Sequence, residues 1–154
     1  MPSPLTTLRR TDSSNDDFQT LVTFLDAELQ VRDGEEHSFY AQYNKLNLTS
    51  HVIVAYENNK ALSCGAIKEF SPNVMEVKRM FTLSEYRGRG IASLILAELE
   101  KWSKELTFEK CILETGMVQP EAIALYTKNG YSIIPNYGQY AGVENSVCFQ
   151  KALI

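Results

Sequence analysis

The chain has 154 residues, 44% hydrophobic and 22% charged, a balance that excludes a disordered segment and fits one domain, residues 1–154, with a full-sized core. A net charge of −4 and a pI near 5.2 exclude a general nucleic-acid binder, which needs a broad basic face. A local basic site stays open.

In chain order, "MPSPLTTLRR" lacks the apolar core of a secretory signal, and no apolar run approaches the roughly 18 residues of a membrane helix. The expected location is therefore cytoplasmic. "TTLRR" reads as a short first strand. In "DSSNDDFQTLVTFLDAELQVR", Ser13, Ser14 and Asn15 are cap candidates. Phe18, Leu21, Val22, Leu25 and Leu29 then follow at helical spacing. "GEEHSFYAQYNKL" reads as a weaker second helix. "HVIVAYE" and "ALSCGAIKEF" flank "NNK" as a hairpin, and "VMEVKRMFTL" alternates as a further strand. Beyond it the period changes, with Ile91, Leu94, Ile95, Leu99, Trp102 and Leu106 as one apolar stripe of a helix. "KCILET" is a short buried strand. "QPEAIALYTKNG" is a helix with Pro120 near its start and Gly130 as its stop. "YSIIP" and "SVCFQKAL" are strands around the loop "NYGQYAGVEN". The order β-α-α-β-β-β-α-β-α-β-β is mixed α/β, antiparallel first and with crossovers later.

Cys64, Cys111 and Cys148 are odd in number, scattered and set in apolar runs. They read as free thiols of a reducing compartment. Neither His37 nor His51 has a cysteine or second histidine at ligand spacing, so no metal is expected.

The chemistry gathers at "EYRGRGIASLIL". A strand running into a Gly-rich turn that opens a helix collects unpaired backbone N–H groups at the positive end of the helix dipole. Gly88 and Gly90 let a phosphate group approach the main chain, and Arg87 and Arg89 add charge. Lys78 and Arg79 lie close by in sequence. A surface turn with solvated arginines has the same spacing. "GRGIAS" lacks the third glycine of the dinucleotide fingerprint, and there is no G-x-x-x-x-G-K-[ST] loop.

Arg87-Gly88-Arg89-Gly90-Ile91-Ala92 fits [QR]-x-x-G-x-[GA]. Here the sequence resembles the GNAT acyltransferase superfamily, whose acetyl-CoA pyrophosphate loop has that pattern. "QPEAIALY" followed by "TKNGY" is similar to the N-x-x-A-[IL]-x-L-Y signature of the same family. "ETGMVQPEAIALY" and "IPNYGQY" resemble a bacterial-type, small-molecule branch. The order of elements matches from about Thr6 to Leu153, most specifically from Met75 to Tyr131. One departure is Gln119, where the family usually has Asn.

The resemblance implies a GNAT fold and acetyl-CoA as co-substrate, bound by the loop from Arg87 to Ala92 and by Gln119. It also implies an oxyanion site of backbone N–H groups at Phe81, Thr82 and Leu83. Tyr126 takes the general-acid position. From the residues alone Tyr126 reads first as a core tyrosine of an apolar helix. It follows Gln119 by seven residues, about two helical turns, so both face one side. Glu76, an acidic residue in an apolar strand, and Glu114, at the end of "CILET", are the candidate bases. Pairing of Glu76 with Lys78, a structural role for Glu114, and a water relay are the alternatives. The family builds its acceptor pocket from the first two helices and the late loops, which points to Tyr40, Tyr43, Tyr137 and Tyr140. "RDGEEH" would attract a cationic amine. Arg79 would hold a carboxylate, or else make a structural ion pair or a CoA contact. The expected activity is acetyl transfer to the amine of a small metabolite. A protein amine as acceptor and a non-catalytic CoA-binding module are the alternatives. A homodimer paired through "SVCFQKAL" is a further expectation.

Overall fold

A computed structural model describes residues 5–33 and 51–154 of the chain. Strand β1 (Thr7–Thr11) leads into α1 (Asp16–Asp33). Of the three cap candidates, Asn15 does the capping: its Oδ1 accepts the Phe18 backbone N–H at 2.9 Å. The second helix expected from "GEEHSFYAQYNKL", with His37, Tyr40 and Tyr43, lies outside the described residues.

Strands β2 (Val52–Glu57) and β3 (Lys60–Ser71) form the expected hairpin. Asn58 and Asn59 turn it with φ of 53° and 65°. Asparagine tolerates this left-handed pair, which matches the twist of the flanking strands. Alternate residues of β2 serve opposite faces. Val52, Val54 and Tyr56 pack with Phe18, Leu21 and Leu25 of α1. Ile53 and Ala55 belong to a second core with the next helix.

Strand β4 (Val74–Thr82) runs antiparallel to β3. Its alternation breaks in the middle. Ala66 faces Lys78 and Cys64 faces Phe81, so Arg79 and Met80 stand opposite Gly65 alone. This bulge holds Arg79 at φ 59°. Gly65 is required there: an added Cβ would lie 2.6 Å from Met80 Sδ, 2.8 Å from Ile95 Cγ2 and 2.9 Å from Leu99 Cδ1.

After a single 3-10 turn at Ser84–Tyr86 comes α2 (Ile91–Glu105). Its inward face is Ile91, Ile95, Leu96, Leu99 and Ser103. The sequence stripe is corrected in three places. Leu94 sits at the exposed margin, Leu106 lies beyond the helix and is equally exposed, and Leu96 is fully buried. The sheet touches a strip rotated from the one that the spacing picked out.

Strand β5 (Lys110–Gly116), helix α3 (Pro120–Lys128), strand β6 (Ser132–Ile134) and strand β7 (Ser146–Ala152) complete the chain. Pro120 takes the first helical turn, and Gly130, at φ 91°, ends the segment. Among the described residues, seven strands form one sheet in the order β1-β2-β3-β4-β5-β7-β6. The β4–β5 pair is its parallel junction, and it spans only Val74–Glu76 against Lys110–Ile112. Beyond that point the strands separate and open a cleft. Strand β7 lies between β5 and β6, pairing with β6 over residues 148–150. That stretch has no open edge, whereas Ser146, Val147, Lys151 and Ala152 of the same strand pair with β5 alone. Among the described residues, no helix is long and apolar enough to cross a membrane.

Candidate active site

Two adjoining cavities occupy the cleft and share Leu25, Met80, Gln119, Ala122 and Tyr126 on their walls. The larger, of about 410 Å³, runs along the end of β4, the loop after it, the start of α2 and one face of α3. Its floor follows from strand register. The Leu83 N–H donates to Leu62 O at 2.9 Å. One residue earlier, Thr82 therefore turns its own N–H and C=O away from β3. This corrects the expectation for Leu83, whose N–H is spent within the sheet and which is absent from the cavity wall. Phe81 and Thr82 do line it.

Gly88 and Gly90 adopt φ of 80° and 82°, a left-handed region that other residues reach only with strain. Helix α2 therefore begins on Gly90 with no side chain capping it. The first helical bond visible at this end is Leu94 N–H to Gly90 O at 3.1 Å. The N–H groups of Ile91, Ala92 and Ser93 have no partner four residues back within the helix, and all three residues line the cavity. This is a place for an anion. Arg87 lines it too, and it is held on three sides. Its Nε donates to Thr82 O at 2.8 Å, its Nη2 to Glu28 Oε2 at 2.7 Å, and its guanidinium lies 5.4 Å from the Phe81 ring centre. Arg89 instead stacks on Tyr86 at 4.9 Å, outside the lining residues.

The described part of the smaller cavity measures about 110 Å³ and is lined by Glu76, Lys78, Arg79 and Glu114 among others. Lys78 and Arg79, grouped with the Gly-rich loop by sequence proximity, line this cavity and are absent from the larger one. Glu76 is buried. Its Oε2 accepts the Tyr137 hydroxyl at 2.6 Å, and its Oε1 lies 3.6 Å from Lys78 Nζ. The expected Lys78 pair and a place in the cavity wall thus hold at once. Tyr137 is not itself a lining residue; it meets the cavity wall through Glu76 and Tyr140, packing edge-on against Phe70 and Tyr140 at 5.1 and 5.8 Å. Tyr140 itself lines the cavity, with Glu114, Thr115 and Gly116 from the end of β5. Arg79 reaches back to α1, its Nη1 2.8 Å from Asp26 Oδ1.

Gln119 and Tyr126 both stand on the shared wall, as their seven-residue spacing predicted. Burial pushes the Tyr126 phenol well above the ordinary tyrosine range, and the negative charge of Glu114 pushes it further. Burial and then Glu114 act the same way on Tyr140. Both hydroxyls are held protonated. Sequence reasoning gave the first helix a share of the pocket but named none of the α1 residues Leu25, Glu28 and Leu29 that line the cavities. The leucines read only as part of an apolar helical stripe, and no local signal singles out Glu28. Among the described residues, no group of three or more His, Cys, Asp and Glu is arranged to hold a metal ion.

A family model described as "Acetyltransferase (GNAT) family" matches residues 15–131. An IAA acetyltransferase of Azospirillum brasilense is 32% identical over 102 residues, which is 66% of this chain and 67% of that protein. A Klebsiella pneumoniae protein assigned as an acyl-CoA N-acyltransferase has a solved structure that superimposes with a TM-score of 0.83. It is 27% identical and covers 99% of this chain and 100% of its own. An Elizabethkingia anophelis GNAT acetyltransferase solved with acetyl-CoA bound has the same fold, with a TM-score of 0.70 at 16% identity over 97% of this chain and 99% of that one.

Proposed function

The chain belongs to the GNAT acetyltransferase family, whose members transfer an acyl group from acyl-CoA to an amine, and we propose that it moves acetyl from acetyl-CoA to the amine of a small metabolite in the cytoplasm. One observation carries this reading. An anion-ready helix start and a charged cavity meet at a wall bearing a protonated, buried tyrosine. The reaction is the work of one domain, because a single sheet carries both cavities.

The N–H groups of Ile91, Ala92 and Ser93, with Arg87, hold the pyrophosphate. Gln119 on the shared wall replaces the usual asparagine. The Thr82 N–H, turned away from β3, supports the bound donor where the thioester arm passes along β4. Attack by the neutral amine forms the N–C bond at the thioester carbon, and the C–S bond then breaks. Tyr126 gives its proton to the departing thiolate. The amine proton goes to a carboxylate. Glu114 fits that role better than Glu76, because it bears directly on Tyr126 and Tyr140 while Glu76 already holds Tyr137 and Lys78.

The test is release of free thiol from acetyl-CoA across a broad amine panel, with product masses read for an added acetyl group. Tight CoA binding without turnover of any amine would make the protein a CoA-binding module instead.

A further inference from the structure

Tyr86 carries two cations on one ring. Arg89 Cζ lies 4.9 Å from the ring centre and Lys60 Nζ 5.1 Å from it, and Lys60 Nζ is also 3.5 Å from the Tyr86 hydroxyl. Resting on the donor reading above, we propose that Lys60 and Arg89 on this ring form a second anion site, which takes the 3′-phosphate of CoA.

The ring face attracts each cation and holds both in place without neutralising either. The two charges stand no more than about 10 Å apart, the Debye length at 0.1 M salt, so they act on a ligand together. Among the described residues neither makes an ion pair. Lys78, Arg79 and Arg87 each face a carboxylate. Glu57, the cross-strand partner of Lys60, accepts instead from the Thr6 hydroxyl at 3.3 Å. In a protein of net charge −4, two cations have been gathered at one ring with no counter-ion of their own.

Their place fits the donor. Tyr86 lines the larger cavity together with the open start of α2. Arg89 stands between Gly88 and Gly90 in the turn that opens that helix, and Lys60 begins β3 just after the Asn58-Asn59 turn. CoA carries two anionic groups, a pyrophosphate within its chain and a phosphomonoester on its ribose. The start of α2 and Arg87 take the first. Lys60 and Arg89 do not line the cavity themselves, so what they hold lies at its rim, beyond the space of the pyrophosphate and the thioester arm. A phosphomonoester has three strong acceptor oxygens and close to two negative charges at neutral pH. A guanidinium fork and an ammonium point charge can share those oxygens.

Calorimetry of the intact protein with CoA and with 3′-dephospho-CoA reads this site. CoA should bind about tenfold tighter, because two exposed cations add only modest, screened contributions. The gap should narrow as salt is raised. In the double variant Lys60→Gln, Arg89→Gln it should close, through weaker binding of CoA and unchanged binding of the dephospho form. Both side chains are exposed and neither residue has a left-handed backbone, so the variant keeps its fold. Equal affinities in the unmodified protein overturn the proposal, as does a gap that survives in the double variant. A gap that Lys128→Gln closes would also overturn it, since Lys128 lines the same cavity from the end of α3. A tenfold gap with no turnover of any amine would sink the transfer reading and leave this site standing. Turnover of acetyl-CoA and its dephospho form with equal KM would do the reverse.

Discussion

Tyr126 keeps its proton because ionising it would place a charge beside Glu114 in a buried wall. On the proposed mechanism, removing that hydroxyl removes the proton donor. Tyr126→Phe should therefore lower kcat by about a hundredfold, the low end for a general acid, with CoA affinity unchanged in a thermal-shift titration. Full turnover in this variant would place the acid elsewhere. The raised phenol also means that Tyr126 puts no descending limb on the pH profile of kcat up to about pH 10, where an ordinary tyrosine titrates. At Gly90 the backbone itself is the functional group. A valine there has to take φ 82°, at a cost of about 1–2 kcal/mol, and it puts methyl groups where the anion sits. Gly90→Val should weaken CoA binding itself, read by calorimetry. The place of both residues in the cavity walls was legible in the sequence, since a glycine before a helical run and a tyrosine two turns after Gln119 are local signals. Arg79 was visible as a strand arginine with several open roles, but not as a residue of a bulge. Its reversed φ depends on Gly65 and Met80 packing under Ile95 and Leu99, contacts made across the sheet.

Helix α1 is tied to the site by two ion pairs, Asp26 to Arg79 and Glu28 to Arg87. The second sets a carboxylate in the wall of the cavity proposed to hold the CoA pyrophosphate. Glu28→Gln should tighten CoA binding, by no more than about fivefold because the pair is one-third exposed and screened. The gain should shrink as salt is raised, and weaker binding at low salt would show that Glu28 serves chiefly to hold Arg87. Elements were read well where pattern and punctuation agree: the Asn58-Asn59 hairpin, α3 between Pro120 and Gly130, and the short strands after it. The face of α2 was read less well. Leu94 and Leu96 differ by two positions and are equally apolar, and only the sheet beneath decides which is buried.

At the scale of the whole molecule, three buried thiols make stability depend on alkaline pH. Burial lifts Cys64 to about 12, and Cys111 and Cys148 to about 11, from an ordinary value of 9.0. Above pH 9 the unfolded chain loses these protons while the folded chain keeps them, so the unfolded state gains. The urea midpoint should hold from pH 7 to about 9 and fall steadily between 9 and 11. A flat midpoint through pH 11 would mean that the thiols ionise as easily folded as unfolded. The order of the described elements and the Gly-rich turn that opens α2 could be read from the chain because each rests on neighbours in sequence. The meeting of the two cavities could not, since it arises where β4 and β5 part after three paired residues. The place of β7 carries a consequence for how the protein is made. Strand β6 leaves the ribosome before the strand it pairs with, and β5 likewise waits for its antiparallel neighbour. Until residues 146–152 emerge, β6 has no ladder to join and Glu114 no second strand to brace it. Among the described strands, the one that braces both β5 and β6 is thus the last to be synthesised.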